Sequence, residues 1–131
     1  AAYREIIAAS PNRQVTIRTL DLGGDKTIPY LGHAREANPF MGWRSIRLSF
    51  EHPEFFTKQI RAILRAAATG GEKNRVRMMF PMITTLEELR KVRSMVKKAK
   101  LQLTEEGKVF GSVQLGLMLE VPAAAVSMVG L

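Results

Sequence analysis

Two hydrophobic periods alternate along this chain. Tyr3, Ile6 and Ile7 follow helical spacing and Ser10-Pro11-Asn12 breaks it, so Ala1–Ser10 reads as the end of a helix. Gln14–Leu20 switches to period two, with Val15 and Ile17 on one face and Thr16 and Arg18 on the other, the pattern of a strand. A long polar segment rich in Gly and Pro follows, GGDKTIPYLGHAREANPF, and then a short helix over FMGWRSIRLSF. Pro53 is placed to open a longer helix whose stripe is Phe56, Ile60, Ile63, Leu64 and Ala67, with Gly70-Gly71 as its stop. Val76–Met82 is nearly all apolar and predicts a second strand buried on both faces. Thr85 and Glu88 have the spacing of a capping box. They predict a helix with Leu89, Val92, Val96, Ala99 and Leu103 on its inner stripe and Gly107 as its end. Val113–Glu120 predicts a third strand, and Pro122 starts whatever follows.

Strands alternating with helices imply a parallel sheet with crossover helices. Three parallel strands alone leave both sheet edges open and one face partly uncovered. Helical patterns also stand at both ends of the chain. The expectation is therefore an α/β chain whose residues 1–131 form part of a larger domain, about three strands of an eightfold α/β barrel that needs roughly 250 residues. A doubly wound sheet is the rival. It would place a short glycine turn directly before a helix, whereas the loop after Gln14–Leu20 is long and its glycines lead into Asp25-Lys26, matching neither GxGxxG nor the Walker loop.

Charge changes the picture in one respect. The net charge is +8, from 20 Lys+Arg against 12 Asp+Glu, which suits phosphorylated ligands, nucleic acid or an anionic surface. The densest run, Arg90–Lys100, falls on a predicted helix and reads as a solvated face, with a polyanion-binding stripe as the alternative. Aromatic residues to accompany it are missing, which speaks against a nucleic-acid module. The chain has no cysteine, which excludes a disulfide framework, a thiolate metal site and a cysteine nucleophile within these residues and fits a reducing cytoplasm. Val113–Leu131 is long enough for a membrane span, but Glu120 and Pro122 at its centre argue against one. Arg4 and Glu5 likewise come too early for a secretory signal. No membrane or nucleic-acid partner is expected.

The special residues gather where strands end. Arg18 and Asp21 stand at the carboxyl end of the first strand, Pro81 at that of the second, and Glu120 at that of the third. In α/β barrels that end carries the chemistry, and glycines let backbone approach a bound group closely. Four segments in order, RTLDLGGDK (Arg18–Lys26), EANPFMGWRSIR (Glu36–Arg47), RMMFPMI (Arg77–Ile83) and LGLMLEVPAA (Leu115–Ala124), resemble the phosphoenolpyruvate-binding barrel of the phosphoenolpyruvate-utilising enzymes. Within that family the Gly-Gly-Asp-Lys after Arg-Thr-Leu-Asp is most similar to enzyme I of the bacterial sugar phosphotransferase system, a phosphoenolpyruvate–protein phosphotransferase. Phosphoenolpyruvate synthase and pyruvate phosphate dikinase share the barrel and are the alternatives.

The resemblance implies a (β/α)8 TIM barrel that binds phosphoenolpyruvate. It implies transfer of the phosphoryl group to an enzyme histidine, a phosphocarrier protein as the next partner through a domain outside this chain, a homodimeric parent, and a cytoplasmic location. It places Arg18 and Arg44 on the substrate and makes Glu120 a carboxylate ligand of Mg2+. Such chemistry suits these residue types. Arginine offers paired donors to phosphate and carboxylate and keeps its charge at any working pH, and magnesium takes oxygen ligands from few protein carboxylates. Other family parts are expected outside these residues: a first strand with its own arginine, an Asn-Asp pair carrying a second metal ligand, a later arginine, a cysteine proton donor, and the phosphohistidine domain. Neither His33 nor His52 has the glycine-rich context of the phosphoryl acceptor. No catalytic residue is assigned within the chain, and by itself it is expected to be inactive. A basic binding module or an assembly module held together by open sheet edges remains as a further alternative.

Overall fold

The computed structural model describes residues 2–19, 51–70, 75–81 and 83–118. Their order is α1 (Ala2–Ala8), β1 (Val15–Arg18), α2 (Pro53–Ala67), β2 (Val76–Phe80), α3 (Leu86–Glu105) and β3 (Val113–Leu117), with one 3-10 turn at Ala68–Gly70. The strands form one sheet in the order β1-β2-β3, each neighbouring pair parallel. The described part is thus an α/β unit in which helices connect parallel strands, as the two alternating periods require.

The helix boundaries follow from local chemistry. Pro53 opens α2, where its missing N–H is no loss. The helix runs to Ala67 and tightens into the 3-10 turn through Gly70; Gly71, expected to share in its ending, lies outside the described residues. At α3 the capping box is complete. The Glu88 N–H donates to Thr85 Oγ1 at 3.1 Å, and the Thr85 N–H donates to Glu88 Oε2 at 3.2 Å. The same carboxylate also accepts from the Thr84 N–H at 2.7 Å and its hydroxyl at 2.8 Å. At the other end Gly107 has φ +67°. The Lys108 N–H reaches the Leu103 carbonyl at 2.9 Å and the Gly107 N–H that of Thr104 at 3.1 Å, the paired bonds of a Schellman motif.

One face of the sheet makes the core. The registers Val15↔Val76↔Val113 and Ile17↔Met78↔Leu115 align apolar residues across the strands. Against them pack Ile7 of α1, Phe56, Ile60, Ile63 and Leu64 of α2, and Val92, Val96 and Leu103 of α3, all buried. The Phe56 and Phe80 rings meet edge to face, 6.1 Å between centroids and 79° between planes. Leu115 is 39% exposed because β3 is the edge of the described sheet. Gly111 packs closest of all: its N–H donates to the Leu64 carbonyl at 2.9 Å, and a Cβ there would lie 2.5 Å from the Ala67 carbonyl carbon.

The opposite face is different. Its rows are Thr16↔Arg77↔Gln114 and Arg18↔Met79↔Gly116, and Thr16, Arg18, Arg77 and Gln114 are exposed. This corrects the expectation that β2 is buried on both faces. Among the described residues helices cover only one side, so Val76, Met78 and Phe80 are buried while Arg77 is exposed and Met79 half-buried. The strands are also shorter than their apolar runs. Pairing extends one residue past β1 through the Thr19 N–H to the Met79 carbonyl, and one past β3 through the Met118 N–H to the Phe80 carbonyl. Leu20, Met82 and Glu120, expected as strand ends, lie outside the described residues, as does the short helix expected over Phe40–Phe50.

Arg75, immediately before β2, is 9% exposed. Its guanidinium donates to the backbone carbonyls of Ile7 at 2.7 Å and Arg13 at 2.9 Å, and to that of Ser10. It ties the end of α1 and the turn after it to the start of the central strand. In that turn Asn12 takes φ +61°, a conformation asparagine tolerates better than most residues.

Candidate functional site

The polar face of the sheet and the carboxyl ends of its strands frame the candidate site. β1 delivers Arg18 as its last residue, exposed on that face because Ile17 must turn inward and side chains alternate. The next residue, Thr19, is buried and fixed by its bond to Met79, so the chain leaves the strand from an anchored position. Across the sheet from Arg18 come Met79 and then Gly116. Neighbouring strands are about 4.8 Å apart, so Gly116 stands roughly 10 Å from Arg18 in backbone terms. A Cβ at Gly116 would meet nothing within 4 Å among the described residues. The row therefore holds a guanidinium at one side, a flexible thioether in the middle and open space at the other.

A second arginine shares the face. Arg77 Nε donates to Gln114 Oε1 at 3.0 Å, in the row nearer the amino ends of the strands. It was not singled out as a site residue from the sequence, and its partner 37 residues away in the chain gives no local signal. Of the residues assigned to the site, only Arg18 is described; Arg44 and Glu120 lie outside the described residues. Among the described residues no group of three or more His, Cys, Asp or Glu side chains is close enough together to hold a metal ion, so Glu120 is where that expectation rests. Among the methionines, Met78 is buried, Met79 and Met118 are half-buried, and Met82 lies outside the described residues. The basic run on α3 is mostly solvated, with Arg90, Lys91, Arg93, Lys97 and Lys98 exposed. No helix among the described residues is long and apolar enough to cross a membrane.

In parallel α/β structures ligands are bound at the carboxyl ends of the strands, the end at which Arg18 stands in β1. Residues 1–130 match the family model described as the PEP-utilising enzyme, PEP-binding domain, and the chain belongs to that family. It is 42% identical over 127 residues to the phosphoenolpyruvate-protein phosphotransferase of Haemophilus influenzae, covering 96% of this chain and 21% of that protein. It is 46% identical over 126 residues to the protein of the same name from Listeria monocytogenes, covering 95% of this chain and 21% of that protein. The chain thus spans about a fifth of the length of the curated relatives it matches.

Proposed function

We propose that this chain forms part of the phosphoenolpyruvate site of a phosphoenolpyruvate–protein phosphotransferase, which passes the phosphoryl group of phosphoenolpyruvate to an enzyme histidine and on to a phosphocarrier protein for sugar uptake. The observation that carries this is the position of Arg18. It ends a parallel strand, points to the polar face, and opens the Arg-Thr-Leu-Asp motif in a chain of this family. The three described strands then belong to a (β/α)8 barrel whose interior is their polar face and whose mouth is their carboxyl end, with residues 1–131 as part of that one domain.

In this reading Arg18 and Arg44 bind the substrate. A guanidinium directs two parallel N–H donors at a phosphate or carboxylate and stays charged throughout. Phosphoryl transfer depends mainly on positioning and on neutralising charge spread over the phosphoryl oxygens, so two arginines supply much of what the step needs. Gly116 leaves room across the sheet from Arg18. Glu120, after β3 in the chain, would hold Mg2+, which would add positive charge at the substrate. The parent works in the cytoplasm as a homodimer, and the isolated chain, with no cysteine to donate the final proton, is inactive.

The test is a chimera in which this chain replaces the matching segment of the Listeria monocytogenes relative. The chimera is expected to take up label from phosphoenolpyruvate phosphorylated with radioactive phosphorus. Arg18→Ala and Arg44→Ala should each lower the rate by about a hundredfold or more, the cost of losing one positioned donor to developing charge. A folded chimera that takes up no label, or one indifferent to both substitutions, overturns the reading.

A further inference from the structure

On the solvent side of the unit, away from the polar face of the sheet, α2 and α3 enclose an open groove of about 680 Å³. Among the described residues its lining is cationic: Lys58, Arg61 and Arg65 come from α2 and Lys98 from α3, against one acid, Glu54. The sequence explains the arrangement. Phe56, Ile60, Ile63, Leu64 and Ala67 turn the apolar stripe of α2 to the core. Positions 58, 61 and 65, spaced by three and four, then fall together on another side.

The four cations are not equivalent. Arg61 is committed within the protein: it pairs with Glu106 and donates to Gln102 Oε1 at 3.2 Å. That crosslink joins α2 to α3 and holds one wall of the groove. Lys58, Arg65 and Lys98 have no ion pair among the described residues. Three positive charges left unneutralised around a concavity focus the field into it and favour an anion there.

We propose that this groove binds a small oligophosphate, with Lys58, Arg65 and Lys98 as its cationic contacts. Lys58 and Arg65 are seven residues apart, about 10 Å along a helix axis, a span that suits several linked phosphates better than one. Among the described residues no aromatic side chain lines the groove to give the stacking platform that single-stranded nucleic acid requires. The shared chemistry is the phosphate chain, which both an inorganic polyphosphate and the tail of a nucleotide present. The proposal is independent of the phosphoenolpyruvate reading, which concerns the other face.

Titration of the chain with inorganic tripolyphosphate, followed by isothermal calorimetry and backbone amide shifts in low salt, tests it. Binding is expected to shift amides of α2 and α3. The triple substitution Lys58→Gln, Arg65→Gln, Lys98→Gln should weaken it at least about tenfold, since charge-assisted contacts are lost at a partly screened site. A control triple, Arg4→Gln, Arg90→Gln, Lys97→Gln, makes the same change in net charge on exposed residues outside the groove and should alter affinity by about twofold at most. Circular dichroism melts establish that both variants are folded. Adenosine triphosphate binding more tightly than tripolyphosphate, with the same variant pattern, supports the site and makes its occupant a nucleotide; equal affinities support it with the phosphate chain alone as the determinant. Absence of tripolyphosphate binding, an equal loss in the control triple, or shifts spread over the whole surface overturns it. So does duplex DNA binding that the control triple weakens as much as the groove triple, together with no localised tripolyphosphate shift.

Discussion

The guanidinium of Arg75 donates to the carbonyl oxygen of Ile7, 68 residues earlier in the chain, at 2.7 Å. Ile7 is in the last turn of α1, where carbonyls lack helical partners and the helix dipole favours a cation. The same side chain satisfies Arg13 and Ser10, so one buried charge closes several backbone acceptors at once. Arg75→Met keeps the bulk and removes every donor. It is expected to cost about 2 kcal/mol, the scale of losing hydrogen bonds from a charged donor, because the Ile7 and Ser10 carbonyls keep their turn bonds from the Ser10 and Arg13 N–H groups. Arg75→Lys should recover only part, because an ammonium cannot reproduce the planar fork. Urea unfolding monitored by far-ultraviolet circular dichroism checks both, and a midpoint unchanged in Arg75→Met would show that these bonds contribute nothing net.

Two glycines near the third strand should respond in opposite ways to the same substitution. At Gly111 an added Cβ would sit 2.5 to 2.7 Å from backbone atoms of Ala67 and Ala68, which no rotamer change can relieve. Gly111→Ala must push the β3 entry away from the end of α2, and is expected to destabilise by about 2 kcal/mol. Gly116 faces open space among the described residues. Gly116→Ala should leave stability within about 0.5 kcal/mol, while narrowing the space across the sheet from Arg18. Thermal melts of the two variants side by side distinguish a packing glycine from one that keeps space open.

The edge-to-face contact of Phe56 with Phe80 joins α2 to the central strand at the heart of the core. Each single change, Phe56→Leu or Phe80→Leu, loses buried area and leaves a void. The pair also carries a specific ring–ring term of about 0.5 to 1.5 kcal/mol. A double-mutant cycle in urea should return a coupling of that size. A coupling near zero would mean that the rings are merely neighbours and that ordinary burial accounts for both.

What could be read along the chain divides by the range of the interaction. Pro53, the Thr85–Glu88 box and Gly107 were all legible because a helix end is decided within four residues of itself, and each stands where its chemistry requires. The inward stripes of α2 and α3 were legible for the same reason: Phe56, Ile60, Ile63, Leu64 and Ala67, and Leu89 through Leu103, are buried as their spacing demands. The two-sided burial expected of β2 failed because exposure depends on what covers a strand, which its own residues do not state; Arg77 within the apolar run was the overlooked sign. Arg75 carried no local signal at all, since its partners are carbonyls more than 60 residues away. In the candidate site, alternation alone placed Arg18 on the face of a strand opposite Val15 and Ile17, whereas the strand's end was read as Leu20 and β1 ends at Arg18. The roles of Arg44 and Glu120 came only from resemblance, and both residues lie outside the described part.

The two arginines of the polar face provide the sharpest test of which end of the sheet does the chemistry. Arg18 is the last residue of β1, whereas Arg77 is the second of β2 and is engaged with Gln114 at 3.0 Å. In barrel enzymes the carboxyl end carries the reaction and the amino end carries stability. In the chimera described above, Arg18→Lys keeps the charge but loses the paired donors. It should slow transfer from phosphoenolpyruvate by about ten- to a hundredfold, with a melting temperature within about 2 °C of the parent because the side chain is exposed. Arg77→Met should do the reverse. Its loss of one hydrogen bond costs about 1 kcal/mol, while the transfer rate stays within about twofold because no donor to the substrate is removed. Rate and melting temperature measured on the same two proteins decide the matter. A large rate loss in Arg77→Met with none in Arg18→Lys would move the site to the opposite end of the strands and overturn the assignment of Arg18.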